Sequence, residues 1–379
     1  MDEGQNSSKK IVHISTVHSR HDPRIFYKQC RSLAAHYDVH LFTLDGLDER
    51  VDGVMSHKLK FSSKNRFSRF FRAPKMAFHQ AKELQPDLIH IHDPELLPTG
   101  ILAARKGIPV IYDVHEDNTT AIGQREYLPS FLSSLISVGI DKMERINHPN
   151  LHKIIAEKYY SERFPYALDI LNYPLKNVDG HPSTTPEPSL LYTGNSRIDR
   201  GALLHADLVN HNPDIDVTFV GRMADDARAE IIKIAGSNID RLMIEGTHQF
   251  LPYSEIVDSY RRKKWLAGLA IFPYNAHYQK KQLTKIFEYM AAGIPVIYSD
   301  YPEWEKLFDP LNIGIAVNPN DPKEASQAIQ KLKSDTEFWR TCSKNGQKHV
   351  RERFNWESQE EKLLGMYQSI VPVNNAEPD

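Results

Sequence analysis

Long apolar runs are missing from this chain. No stretch approaches the ~20 consecutive apolar residues needed to cross a bilayer, and the first residues, MDEGQNSSKK, lack the apolar centre of a secretory leader. Cysteine is nearly absent as well: Cys30 and Cys342 are too few and too far apart for a disulfide framework or a zinc knuckle, which points to a reducing compartment. Nor is there an excess of one charge. The 47 Lys and Arg against 49 Asp and Glu leave a net charge of −2, without the basic surplus of a general nucleic-acid binder, so no nucleic-acid partner is expected. The expectation is a cytoplasmic protein that can still touch the inner face of a membrane.

What is present is enough chain for two cores, since 379 residues exceed one typical core. Buried-strand patterns at Ile11–Val17, Asp38–Leu44, Asp87–Ile91 and Ile108–Val114 alternate with helical ones, including Pro23–Ala35. Asn172–Ser189, dense in Pro, Gly, Ser and Thr, reads as a linker. A second α/β series then opens at Ser189–Gly194 and continues through Asp216–Val220, Arg241–Ile244 and Ala267–Pro273. The last helix carries Leu363, Leu364, Tyr367 and Ile370 on one face.

Leu283–Asp300, LTKIFEYMAAGIPVIYSD, organises the rest: a short amphipathic helix, then Gly293 and the strand Ile294–Tyr298. In open α/β sheets ligands sit at the carboxyl edge of the strands, where this helix begins. Its first N–H groups, around Leu283–Ile286, favour an anion such as a diphosphate, Lys285 adds a full charge, and Glu288 one turn on suits ribose hydroxyls. The loop NSRIDRG after Gly194 offers Arg200 for phosphate and Gly201 for close backbone approach. Asp214 and Asp216 form a D-x-D on the wrong edge and read as a turn. GTHQFLPY, around His248, is placed near the nucleobase or sugar.

In the first half, Asp22 is either an N-cap for the helix starting at Pro23 or a site residue, and Arg24 lies beside the end of the first strand. Asp93 and Glu95, after the third strand, order their loop or meet acceptor hydroxyls. A metal site at His90, His92 and Asp93 is discounted because successive strand residues face opposite ways and adjacent His92 and Asp93 do not converge easily. Between Lys58 and Lys82 lie eight Lys or Arg, five Phe and no acid. That run suits an anionic membrane surface, or else places its Phe residues in the core.

The fragment KIFEYMAAGIPVIYSD resembles the donor-site signature of the family 4 glycosyltransferases, retaining enzymes of GT-B fold. The resemblance continues through HSRHDPRIF, DLIHIHDPELLP, IYDVHED, LYTGNSRIDRG and FNWE. It implies an α/β architecture of two Rossmann-like domains facing a cleft: an acceptor domain over 9–172, a linker over 173–188, a donor domain over 189–354, and a helix over 355–371 returning to the first domain. It implies a nucleotide sugar, UDP- or GDP-linked, held by Gly194, Asn195, Arg200, Gly201, Thr284, Lys285, Ile286 and Glu288. His115 matches the histidine over the transferred sugar and is catalytic with Lys285, while Asp22, Arg24, Asp93 and Glu95 fall on the acceptor side. The acceptor is a sugar or lipid-linked hydroxyl, as in cell-surface polysaccharide or glycolipid synthesis, with no metal or other cofactor. Two departures stand out. Asn195 replaces an arginine common in relatives, and Lys280 replaces the first of two glutamates, of which Glu288 is the second. They keep two alternatives open: a nucleotide-sugar epimerase and a non-catalytic binding subunit of the same fold.

Overall fold

A computed structural model describes residues 8–61, 66–116, 130–176, 185–246 and 251–373, with the side chains of 66–71 and 130–136 left aside. Asp117, His248, residues 177–184 of the linker and residues 374–379 of the polar tail fall outside the described residues. The chain forms two compact units, Met1–Asn172 with Gln359–Asp379, and Tyr173–Ser358. The last helix, Trp356–Ile370, starts in the second unit and from Gln359 onward belongs to the first.

The first unit contains β1 (Lys10–Ile14), β2 (Asp38–Thr43), β3 (Glu49–Val51), β4 (Val54–Lys58), β5 (Leu88–Ile91), β6 (Val110–Val114), β7 (Leu151–Ile155) and β8 (Leu168–Asp169). Their order is β3-β4-β2-β1-β5-β6-β7-β8, parallel except for the β3/β4 hairpin. The strand order reverses between β1 and β5, so loops leave their carboxyl ends in opposite directions and open a crevice. Period-two alternation divides the central strands into two faces. Val12, Ile14, Ile89, Ile91, Val110 and Tyr112 join one apolar core, with Phe78 and Leu97 packed on it. His13, His90 and Asp113 fall on the other face, all fully buried.

That second face is met by the helix beginning at Pro23 and by Tyr367 of the last helix. Pro23–Cys30 is π-wound and continues as an α-turn, Arg31–Ala34. Asp22 caps it, its Oδ1 accepting from the Arg24 and Ile25 amides at 2.9 and 3.0 Å. β1 is shorter than the apolar pattern predicts: the chain leaves the sheet after Ile14 because Ser15 and the Thr16 amide turn to the Asp93 carboxylate, at 2.9 and 2.6 Å. In the basic segment, Arg66–Glu83 is a helix whose Ala73, Ala77, Phe78 and Ala81 are buried while Arg72 and Lys75 are exposed. Phe78 therefore belongs to the core; the side chains of Arg66, Phe67, Arg69, Phe70 and Phe71 lie outside the described set.

The second unit contains β9 (Glu187–Thr193), β10 (Asp216–Val220), β11 (Leu242–Glu245), β12 (Trp265–Ala270), β13 (Val296–Ser299) and β14 (Gly314–Val317). All are parallel in the order β11-β10-β9-β12-β13-β14, with the reversal between β9 and β12. Such sheets are buried on both faces, and every residue of β12 is buried. β12 stops three residues earlier than its apolar run, freeing Ile271–Pro273 to begin the loop into the helix Thr284–Ala291. Asp216 opens β10 at the amino edge and Asp214 lies in the turn before it, away from that loop.

Candidate active site

In the second unit, two loops leave the switch point: residues 194–201 after β9 and residues 271–283 after β12. They meet backbone to backbone at Gly201, whose φ of +79° and whose position against the Ile271 carbonyl leave no room for a Cβ. Gly194, with φ +94°, donates its N–H to the Val220 carbonyl at 2.8 Å. A side chain on Gly221, just past β10, would strike the Gly194 backbone. The helices Ala202–His211 and Thr284–Ala291 both begin here, neither with a side-chain cap.

Lys285 sits in the first turn of the second of these helices. Its Nζ is buried with no hydrogen-bond partner among the described residues, 3.5 Å from the centroid of the Tyr192 ring and 5.4 Å from that of Phe272. Burial, and then repulsion from Arg200, push this ammonium well below the usual lysine range. Arg200 is half-buried; its Nε donates to Tyr278 Oη at 3.3 Å, and that hydroxyl donates to Asp199 at 2.8 Å. An ammonium taken out of water, beside a second cation, is held at a cost that an oxyanion would relieve. Glu288 follows one turn on, 7 % exposed, accepting from Tyr253 Oη at 3.1 Å and Tyr260 Oη at 2.8 Å. Burial, and then Glu288 itself, raise both phenols, which therefore remain donors.

The other donor-side residues differ in what they present. Thr284 is the half-buried first residue of its helix. Ile286 is fully buried and its amide donates to the Leu283 carbonyl at 3.0 Å, so that amide is not among the unpaired groups expected at the helix start. The Asn195 carbonyl accepts from Tyr192 Oη at 3.1 Å, and Lys280 is exposed.

In the first unit the edge residues converge on Asp113. It accepts from Arg24 Nε and Nη2 at 2.9 and 2.8 Å, from Gln29 Nε2 at 2.7 Å, and pairs with His115 Nε2 at 2.9 Å. The third Arg24 nitrogen donates to the Ile170 carbonyl at 2.7 Å, so all three guanidinium nitrogens face protein groups. Burial alone would raise the Asp113 carboxyl, but Arg24 and His115 outweigh it and hold it well below the usual range. Asp22, besides capping its helix, pairs with His18 Nδ1 at 2.9 Å. Burial works against charging His18, yet Asp22, with Asp93 behind it, raises its pKa to about 9. Asp93 anchors the β1 loop, and Glu95 accepts from Thr16 Oγ1 at 3.0 Å. His115 remains, with a side chain 11 % exposed at the end of β6.

His90 and His92 are two apart and share a face, and β1 sets His13 opposite His90. Two triads, His13/His90/His92 and His92/Asp113/His115, have ligand atoms within 4.8 Å of one another. The donor set nevertheless fits a divalent cation poorly. The His90 and His92 rings are stacked at 4.5 Å and 20°, so their in-plane lone pairs run side by side, and Asp113 is already neutralised by Arg24.

Two family models match the chain: "Glycosyltransferase Family 4" over residues 23–159 and "Glycosyl transferase-like" over residues 202–365. The chain belongs to the family 4 glycosyltransferases. Among curated relatives, sucrose-phosphate synthase 4 of Arabidopsis thaliana is 34 % identical over 103 residues, 27 % of this chain and 9 % of that protein. Probable sucrose-phosphate synthase 2 of Oryza sativa subsp. japonica is 27 % identical over 124 residues, 33 % of this chain and 12 % of that protein. The match thus spans about a tenth of those proteins. In fold, this glycosyltransferase is similar to the sucrose-phosphate synthase of Thermosynechococcus elongatus, with TM-score 0.73, 18 % identity and coverage of 96 % and 99 % of the two chains. It is also similar to Anabaena HepE in complex with UDP and glucose, with TM-score 0.66, 14 % identity and coverage of 95 % and 100 %. Its two parallel-sheet α/β units are those of the GT-B glycosyltransferases.

Sequence reasoning missed the groups that hold the glycosyltransferase's site residues in place. Tyr253 and Tyr260 behind Glu288 carry no motif. Asp113 had a signal, a lone acid in the apolar strand VIYDV two residues before His115, and so did His13 in KIVHI.

Proposed function

We propose that this glycosyltransferase moves a sugar, with retention, from a UDP-linked donor to a hydroxyl acceptor. The observation that carries the reading is Lys285: a buried, unpartnered ammonium in the first turn of a helix, beside Arg200 and one turn before a tyrosine-braced Glu288. A nucleoside diphosphate matches that series, its phosphates on the two cations and its ribose hydroxyls on Glu288. The presence of UDP with HepE supports uridine over guanosine. Lys285 and Arg200 supply the leaving-group charge that a metal supplies elsewhere, so the reaction is taken as metal-independent.

The bond from the anomeric carbon to the diphosphate oxygen breaks, a bond to the acceptor oxygen forms on the same face, and the acceptor proton passes to the departing diphosphate oxygen. The chain supplies charge stabilisation and positioning. In the first unit, Asp22, Asp93 and Glu95 shape the loop that receives the acceptor, Arg24 acts through Asp113, and His115 meets the transferred sugar. The exposed Arg72 and Lys75 suit an anionic leaflet and a lipid-linked acceptor, and on this reading the reaction serves polysaccharide or glycolipid synthesis at the inner membrane face.

Calorimetric titration of the full chain with UDP, GDP and uridine tests the donor assignment. UDP should bind, uridine far more weakly, and Lys285→Ala should erase most of the difference between them. Failure of both diphosphates to bind would remove the donor site and favour a non-catalytic subunit. Sugar interconversion without an acceptor would instead favour an epimerase.

A further inference from the structure

The buried second face of the first unit's sheet carries a file of imidazoles that ends on one carboxylate. Asp113, held ionised against Arg24, can only accept hydrogen bonds. His115 Nε2, 2.9 Å from Asp113 Oδ2, must therefore be the protonated nitrogen. His92 Nδ1 lies 3.2 Å from that same Nε2 and 3.5 Å from Asp113 Oδ2. His92 Nε2 lies 3.0 Å from His13 Nδ1, and His13 Nε2 lies 3.4 Å from Tyr367 Oη. The Tyr367 hydroxyl lies 2.6 Å from His90 Nδ1, and His90 Nε2 is buried with no hydrogen-bond partner among the described residues. At its near end, His115 Nδ1 has no hydrogen bond among the described residues.

We propose that Asp113 is the positioning residue of the transfer site: it fixes His115 as the Nε2–H tautomer, so that Nδ1 is a lone-pair acceptor presented to a sugar hydroxyl. Two features of the chain build this device. The π-winding of Pro23–Cys30 carries both Arg24 and Gln29 onto the Asp113 carboxylate, whose Oδ2 takes Arg24 Nε, Gln29 Nε2 and His115 Nε2 together. β6 carries Asp113 and His115 two residues apart, on one face. A donor hydroxyl, not an anion or a carbonyl, is the ligand that such a nitrogen takes.

The inference rests on His115 meeting the sugar, and the two can fail separately. Histidine-selective ¹⁵N labelling of the full chain, with two-bond ¹H–¹⁵N correlation, reads each tautomer, and His115→Gln assigns the His115 signals. In the wild type, His115 should show Nε2–H. An Nδ1–H signal for His115 in the folded wild type overturns the proposal without recourse to any variant. In Asp113→Asn, whose amide can donate as well as accept, His115 should populate the Nδ1–H form. UDP release from UDP-glucose should then fall in kcat by at least about tenfold, with KM changing less than about threefold. If His115→Gln turns over normally, the role of His115 fails. If His115→Gln is slow but Asp113→Asn keeps both tautomer and kcat, only the role of Asp113 fails.

Discussion

At the carboxyl edge of the first unit, charges answer one another. Arg24 meets Asp113, His18 meets Asp22, and Asp93 is taken up by Ser15 and Thr16. At the corresponding edge of the second unit, the Lys285 ammonium is buried against aromatic rings with a second cation beside it and no hydrogen-bond partner. Both edges lie at the same topological position, so the fold does not dictate the difference. A closed network holds a side chain still, and an open one holds a place for a ligand. Removing a charge should accordingly have opposite effects on the stability of the ligand-free protein in the two units.

The largest effect is expected from Asp113→Ala, which strands Arg24 without its carboxylate. Breaking a buried pair this way costs about 3–5 kcal/mol, read as a lower urea midpoint for the first unit. An unchanged midpoint would mean the network is not closed. Lys285→Met should act in the other direction, raising the ligand-free melting temperature by removing an unpaired buried charge while weakening UDP by on the order of a hundredfold, about 3 kcal/mol. A melting temperature that falls, or UDP affinity that persists, would erase the contrast. Glu288→Gln sharpens it within the second unit: about a tenfold loss is expected for UDP and little for its 2′,3′-dideoxy analogue, since one charge-assisted bond contributes ~1.5 kcal/mol.

Smaller effects probe the first unit alone. The pKa of His18 is raised from 6.5 to about 9, so its contribution to stability is complete below pH 6.5 and fades as pH climbs through about 9. Asp22 is depressed below 3.8, so its contribution is present above that value and fades as pH falls further. Melting curves should show a plateau between these limits and an alkaline decline of at most ~1 kcal/mol, which His18→Gln should flatten. The smallest effect is expected at Arg72 and Lys75. Reversing both to Glu should weaken co-sedimentation with anionic vesicles by up to ~1 kcal/mol per charge, and indifference to lipid charge would point to a soluble acceptor.

The strands were legible because parallel sheets demand β-branched runs, and IPVIYS or AGLAIF can be little else. The helix carrying Lys285 and Glu288 was legible for a similar reason: the role proposed for it depends on residues within one turn of each other. Arg24 was misread because its partner lies 89 residues away, and an arginine after a strand looks the same whether it meets a ligand or a buried acid. The early end of β1 has the same origin, since the carboxylate that draws Ser15 and Thr16 out of the sheet belongs to Asp93.

The π-winding of Pro23–Cys30 makes the length of that segment a matter of registration. With hydrogen bonds spanning five residues, Arg24 and Gln29 come around to the same side and grip one carboxylate from two positions. An ordinary α-helix would set residues five apart about 140° from each other, and one of the two would point elsewhere. A single-residue deletion within these eight positions would therefore act less like a shortened helix than like a key cut one tooth off, turning Gln29 or Arg24 away while leaving every side chain chemically intact.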